Sequence, residues 1–232
     1  MRGLLCAFNY YRKKIKMRPS NTCTSVVTTK SSERSVRRYF DFSGAPFYAG
    51  LSHGIAEPTA IHTHNGIEIG GVLEGEGVML LAGREITLRR DDLFFIDAGT
   101  PHWHYARNGK MFTHTWIALP FHAIMAVAPL RGYTRLYEPF IATRRGLTPV
   151  LTQRGGLVKL TEQILQLHAL HPDFWDLEAW AKILEILVGI TKVTLPQLKN
   201  GEHQTVSEGI GRIMPAVNHL NIHFAEQTPI DE

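Results

Sequence analysis

The stretch His62-Thr63-His64-Asn65-Gly66-Ile67-Glu68, followed by Gly75, carries the most information about this chain. On a strand, side chains alternate between two faces, so His62 and His64 project to one side. Glu68, just past a glycine-containing bend, brings a carboxylate beside them. A further histidine, His102, follows Gly99-Thr100-Pro101 after an intervening hairpin and strand. Three imidazoles and one carboxylate make a mixed nitrogen and oxygen donor set suited to Fe, Mn, Zn, Cu or Ni. Such a set leaves coordination positions open for oxygen or substrate. The same groups also suit an organic ligand, or can satisfy one another by hydrogen bonding without any metal.

The surroundings of this stretch are β-type. Between Phe47 and Leu119, short runs alternate with Gly, Pro and Asp: Phe47–Ser52, Ile67–Leu73, Gly77–Leu81, Arg84–Leu88, Leu93–Ile96, His102–Ala106 and Met111–Leu119. With a tight Ala82-Gly83 connection, they predict antiparallel hairpins in a sandwich or barrel. Phe95, Trp103, Trp116 and Phe121 lie on or beside these runs. A barrel of about eight strands can hold one small ligand. Phe95 and Trp116 are therefore candidate pocket walls, with Arg84 a polar contact beside the histidines and Glu68. His53, His104, His114 and His122 lack comparable spacing and read as ordinary barrel or surface residues.

Farther out the period changes. Residues 122–156 are punctuated by Pro and Gly and read as a connection packed on the barrel. Leu157, Leu160, Ile164 and Leu167 recur at three and four, as an amphipathic helix requires. His171-Pro172-Asp173 ends that helix, with Asp173 the expected N-cap of the next. There Leu177, Trp180, Leu184, Leu187 and Thr191 share a face, widened by Ile183 and Val188, and Pro196 is the expected stop. Beyond a polar stretch, Thr205 and Glu208 have capping-box spacing. They open a third helix with the stripe Ile210, Ile213, Val217, Leu220 and Phe224, kinked by or beginning at Pro215.

Composition excludes several classes. With 232 residues, 44% of them hydrophobic and 20% charged, the chain reads as globular rather than disordered or fibrous. The most apolar run, Trp180 to Val193, is interrupted by Lys182 and Glu185 and falls short of the ~18–20 residues of a membrane span. Cys6 and Cys23 form neither a disulfide framework nor a paired zinc motif, which makes a reducing cytoplasm the expected compartment. The apolar stretch after Met1 is too short for a secretory signal. Residues 1–38 carry ten Lys/Arg against Glu33 alone, a net +9, so the remainder of the +4 chain is net −5. The basic residues belong to an arm that could touch nucleic acid or acidic lipid. It reads more simply as a poorly ordered leader or an upstream start, with Met17 a second candidate initiator, and DNA binding does not follow from it.

The first motif resembles that of the cupin barrel: His-x-His, three residues, Glu, and Gly seven positions later. In the second motif Gly99 and His102 are present. Asp91 stands for the leading Gly, Asp97 for the Pro, Ala106 for the Asn and, in the first motif, Ala56 for its leading Gly. Residues 62–77, the run Asp92 to His102 and Trp116 to Phe121 are further similar to the N-terminal sensor domain of AraC/XylS-type transcription regulators. The helices at about 157–170 and 174–192 resemble that family's dimerisation region, and Ile210 to Phe224 the first helix of its DNA-binding domain. By this resemblance the chain is expected to lack both recognition helices of that domain.

The resemblance implies an antiparallel, jelly-roll β-barrel followed by a helical dimerisation region, α+β as a whole. The expected order is a basic flexible arm over 1–44, a ligand-binding barrel over 45–121, the connection over 122–156, the dimerisation region over 157–196, and a linker with the first helix of an incomplete DNA-binding domain over 197–232. It implies a cytoplasmic, non-enzymatic homodimer that binds a small effector, a sugar or related metabolite, through His62, His64, Glu68, Arg84, Phe95, His102 and Trp116. Leu177, Trp180, Leu184 and Leu187 would form the dimer face. DNA would be reached only through a missing or partner-supplied domain, no membrane is engaged, and no cofactor is needed. Two rivals stand beside it. One is a metalloenzyme, an isomerase or dioxygenase, with Fe, Mn, Zn, Cu or Ni on His62, His64, Glu68 and His102; the other is a module that forms mixed dimers with a full-length regulator.

Overall fold

A computed structural model describes residues 23–28, 35–40, 42, 46–53, 61–107, 111–120, 123–124 and 133–199. Among the described residues ten strands run in chain order: β1 (Cys23–Thr28), β2 (Ser35–Phe40), β3 (Tyr48–His53), β4 (His62–His64), β5 (Gly66–Leu81), β6 (Arg84–Arg89), β7 (Leu93–Ile96), β8 (His102–Ala106), β9 (Phe112–Pro120) and β10 (Val150–Leu151). A 3-10 turn (Tyr133–Leu136) leads into α1 (Glu138–Thr143), and α2 (Gly155–Leu170) and α3 (Trp175–Lys199) follow β10. The third expected helix, near 205–224, lies outside the described residues.

The long strand β5 organises the sheet. The two runs expected at Ile67–Leu73 and Gly77–Leu81 are one strand, bent by a register shift between Val72 and Glu74. Gly75 makes the bend possible: its φ is +82°, and a Cβ there would stand 1.8 Å from the Met111 carbonyl oxygen. The first half of β5 pairs with β7 and β9, the second with β6 and β8. Ala82 (φ 47°) and Gly83 (φ 81°) form the two-residue connection to β6, both in the left-handed region that a primed hairpin turn requires.

Two features differ from a closed antiparallel barrel. The sheet path ends at β1 and β10 without closing, and β2 pairs with β4 in parallel. Both β1 and β2 fall within the stretch expected to be an arm, so part of that stretch is recruited as sheet edge. Asn65 helps hold it, accepting from the Phe40 amide at 2.9 Å and donating to the Phe40 carbonyl at 3.1 Å.

One core lies between the sheet and the helices and includes Phe47, Ile67, Ile69, Phe95, Ile117, Ile164, Ile183 and Ile190. A second fills the sheet's concave side with Val72, Met79, Leu81, Leu88, Phe94, Ile96 and Phe112. Helix α2 approaches β5 closely at Gly71, where a Cβ would meet Thr161 Oγ1 at 2.7 Å. Helix α3 presents Ala179, Ile183, Ile186, Leu187, Ile190 and Thr194 to the core. At 100° per residue this stripe is rotated about a quarter turn from the expected Leu177/Trp180/Leu184/Leu187 face. Leu187 is buried within the chain, Trp180 and Leu184 pack half-buried against the core, and Leu177 is 62% exposed. Two helix boundaries are also corrected. Phe174 (φ 61°) separates Asp173 from the first turn of α3, so Asp173 is not its cap. Pro196 lies inside α3 rather than stopping it, near enough to the end that the one missing N–H is tolerated.

Candidate metal centre

His62, His64, Glu68 and His102 meet, as the sequence predicts, and all four are buried. The short β4 turns His62 and His64 to the concave side, and antiparallel pairing sets His62 directly opposite His102. Glu68 lies opposite Ile96 and Ala118 on the same side of β5. The His62 and His102 rings are 4.3 Å apart between centroids, His64 and His102 4.9 Å, and His62 and His64 5.9 Å.

Hydrogen bonds decide the ring tautomers. His64 Nδ1 is 2.7 Å from the Gly66 carbonyl oxygen, and His102 Nδ1 is 2.8 Å from that of Thr100. A carbonyl only accepts, so both Nδ1 atoms carry hydrogen and a neutral ring offers its lone pair at Nε2. Those Nε2 atoms face one carboxylate oxygen, Glu68 Oε2, at 2.9 Å for His64 and 3.5 Å for His102. A bare lone pair against a carboxylate is attractive only if the ring is protonated or a cation lies between them. Burial alone would raise the Glu68 carboxyl; the His102 and His64 imidazoles overcome it and hold the group well below its ordinary value. The carboxylate is therefore charged.

This donor set fits a first-row transition metal. One donor atom from each residue lies within 4.8 Å of the others. Opposite ligands with bonds of ~2.1 Å sit about 4.2 Å apart, so an ion requires only small inward shifts. Nδ1–H bonded to a backbone carbonyl is the orienting arrangement expected of a metal-binding imidazole.

The turn before His102 is anchored from the helical side. The Gly99 amide donates to the His64 carbonyl at 2.8 Å, tying both ligand strands together. Asp97, which replaces the motif proline, is buried; it accepts from the Tyr137 hydroxyl at 2.6 Å and pairs with Arg144 Nε. Burial, then the neighbouring Asp97 charge, pushes the Tyr137 phenol up, so it remains a donor. Arg144 also donates to the Ala98 carbonyl at 3.0 Å.

Not all predicted pocket residues arrive. Trp116 does, on the concave side over Gly50, 6.0 Å from Phe40, which packs edge-on to His64. Phe95 does not: it is paired with Ile69 on the helix-facing side and meets Phe140. Its neighbour Phe94 takes the concave position over Gly70 instead, because strand alternation is pinned by the Glu68–Ile96 register. Arg84 is exposed beside the β5–β6 turn, outside the cluster. Conversely, His104 and His114, whose spacing marks them as ordinary barrel or surface residues, are buried, His104 beside His102 and His114 beside His104, with ring centroids 5.9 and 4.7 Å apart. The signal for His104 was available, since it lies two residues from His102 and shares its face. His122 lies outside the described residues.

Residues 53–117 match the family described as Cupin_2, cupin domain. The four clustered residues and Gly75 fall within that match, whereas α2 and α3 fall outside it. The chain is similar to a cupin protein from Bacteroides fragilis (21% identity over 33% of this chain and 68% of that one, TM-score 0.32). It is similar also to a cupin-2 domain protein from Shewanella frigidimarina (17%, covering 48% and 91%, TM-score 0.32) and a cupin-like protein from Thermotoga maritima (19%, covering 44% and 69%, TM-score 0.32). Among curated proteins none matches the chain. No described helix is long and apolar enough to cross a membrane.

Proposed function

We propose that the cupin domain holds one divalent transition-metal ion on His62, His64, Glu68 and His102 and uses it to bind a small oxygen-donor ligand. The carrying observation is the convergence of two imidazole Nε2 atoms, each with its Nδ1 bound to a carbonyl, on one charged carboxylate. The bound metal would supply Lewis acidity at an open coordination position. Glu68 lowers the net charge of the filled site, and the two carbonyls hold the rings in a ligating orientation. The Phe40 ring beside His64, with Tyr48 and Trp116 packed against Phe40, suits a flat or sugar-like ligand stacked near the ion.

The second reading is a sensor and dimerisation module of an AraC/XylS-type regulator. It is favoured by Leu170, Phe174, Leu177 and Val188, large apolar residues exposed on or between the two helices. The readings are compatible, since a metal-bound ligand can be sensed rather than turned over. Metal content per chain in protein purified without chelator tests the centre. About one equivalent of Fe, Mn, Zn, Cu or Ni, lost in His62→Ala/His102→Ala with the fold retained, supports it; trace metal in both proteins sinks it. Given a loaded centre, oxygen uptake or isomerisation favours an enzyme. Saturable sugar binding without turnover, together with a dimer in solution, favours the sensor.

A further inference from the structure

The concave side of the sheet contains more imidazole than the four-residue centre uses. His104 and His114 lie beside one another with ring centroids 4.7 Å apart, inside the 4.3–5.9 Å spread of the three rings of the centre itself. Both are more than nine-tenths buried, and His104 Nε2 and His114 Nδ1 make no hydrogen bond. A buried polar nitrogen left unsatisfied is costly, and two on adjacent rings can be satisfied together by one shared occupant.

The walls identify its chemistry. Phe94 packs against both imidazoles and Phe112 against His114. Met79, fully buried in the same concave core, is the cross-strand partner of His104. Among the described residues no carboxylate forms an ion pair or hydrogen bond with either ring, Glu68 acting on both only from a distance, and no Lys or Arg is buried. Two neutral nitrogen donors and a neighbouring thioether, in aromatic and aliphatic surroundings, offer no anionic ligand to offset a dication. They suit a soft monovalent cation that accepts low coordination numbers.

We propose that His104 and His114, with Met79 as the available third donor, form a second metal position selective for Cu(I), separate from the His62/His64/Glu68/His102 centre. It does not depend on the first centre being filled.

The test uses the full chain, first given Zn(II) to occupy the carboxylate-containing centre, then titrated anaerobically with Cu(I) against the chromogenic chelator bicinchoninate. The wild type is expected to retain one Cu(I), and His62→Ala, which breaks the first centre, is expected to retain it equally. His104→Leu and His114→Leu should each weaken retention at least a hundredfold with circular dichroism unchanged. Met79→Leu should weaken it about tenfold and remove a sulfur scatterer from the copper X-ray absorption spectrum. Should either histidine variant fail to fold, the Met79→Leu spectrum and the wild-type nitrogen and sulfur count decide. Zn(II) held but no Cu(I), or Cu(I) undiminished in both histidine variants, overturns this position and leaves the first centre standing. Cu(I) held without any Zn(II) does the reverse.

Discussion

The two faces of β5 contrast sharply, although their residues alternate along one strand. Ile67, Ile69 and Gly71 look toward the helices, where Ile67 and Ile69 join the apolar core and Gly71 meets Val158 and the hydrogen-bonded Thr161. Glu68, Gly70 and Val72 look toward the concave side, among five buried histidines counting both candidate metal positions. The helix side gains stability by removing hydrocarbon from water. The concave side bears a buried carboxylate held well below its ordinary value and buried imidazoles, of which His104 and His114 are pushed down by burial. A stable scaffold on one face therefore supports an intrinsically expensive site on the other.

The largest blow to this contrast comes from the scaffold side. Ile69→Ala should destabilise the protein by about 2–5 kcal/mol. Measured by chemical denaturation, the loss should leave metal stoichiometry intact in the folded fraction. Loss of metal at full stability would show that the faces are not separable.

The next effect is a pH dependence confined to the concave face of the metal-free protein. Burial lowers His114 to about 4, against partial opposition from Glu68 and with help from His53. A histidine depressed in the folded state is protonated first in the unfolded chain, so stability must fall as pH drops from about 6.5 toward 4. The contribution is on the order of 3 kcal/mol. His104, lowered by burial and by His114, acts in the same direction. Midpoint denaturant concentrations followed over this range should show the fall, and His114→Leu should flatten it. A profile unchanged by that substitution would place the sensitivity elsewhere.

The smallest expected effect probes the bridge between the faces. Arg144 holds Asp97 and Ala98 in the turn preceding His102, yet its own side chain is 59% exposed. Arg144→Gln should weaken metal binding at the first centre roughly tenfold, the low end for an outer-shell partner, with little change in stability. Competition with a chromogenic chelator gives the affinity, and partial recovery in Arg144→Lys would separate charge from packing. An unchanged affinity would mean the ligand turn holds its shape without the helical side.

How much was legible beforehand follows from the range of each signal. Local patterns carry through to the structure: the β-runs, the Ala82-Gly83 turn, the helices near 157 and 174, and the gathering of His62, His64, Glu68 and His102 are all present. Errors occur where a residue had two local options and a distant partner chose. Phe95 and Phe94 are equally hydrophobic, and only pairing with β5 decides which looks inward. The α3 stripe could be drawn through Leu177 or through Ala179, because Ile, Leu and Trp flank both, and contact with α2 and the sheet selects the second. The continuous β5 hides behind Gly75, which reads as a break until Met111 is seen against it.

By itself, then, the sequence determined the identities and spacing of the ligand-type residues, the change from a period of two to a helical period, and the separation of a basic N-terminal stretch from an acidic remainder. Those properties reside in side-chain chemistry and in the alternation of single elements. Tertiary structure alone decided the tautomers of His64 and His102, the recruitment of β2 to the ligand strand, the anchoring of Asp97 by Tyr137 and Arg144, and the meeting of His104 with His114. Each joins atoms from segments separated in the chain or a ring to one particular carbonyl, and hydrogen-bond direction and register exist only once those partners are in place.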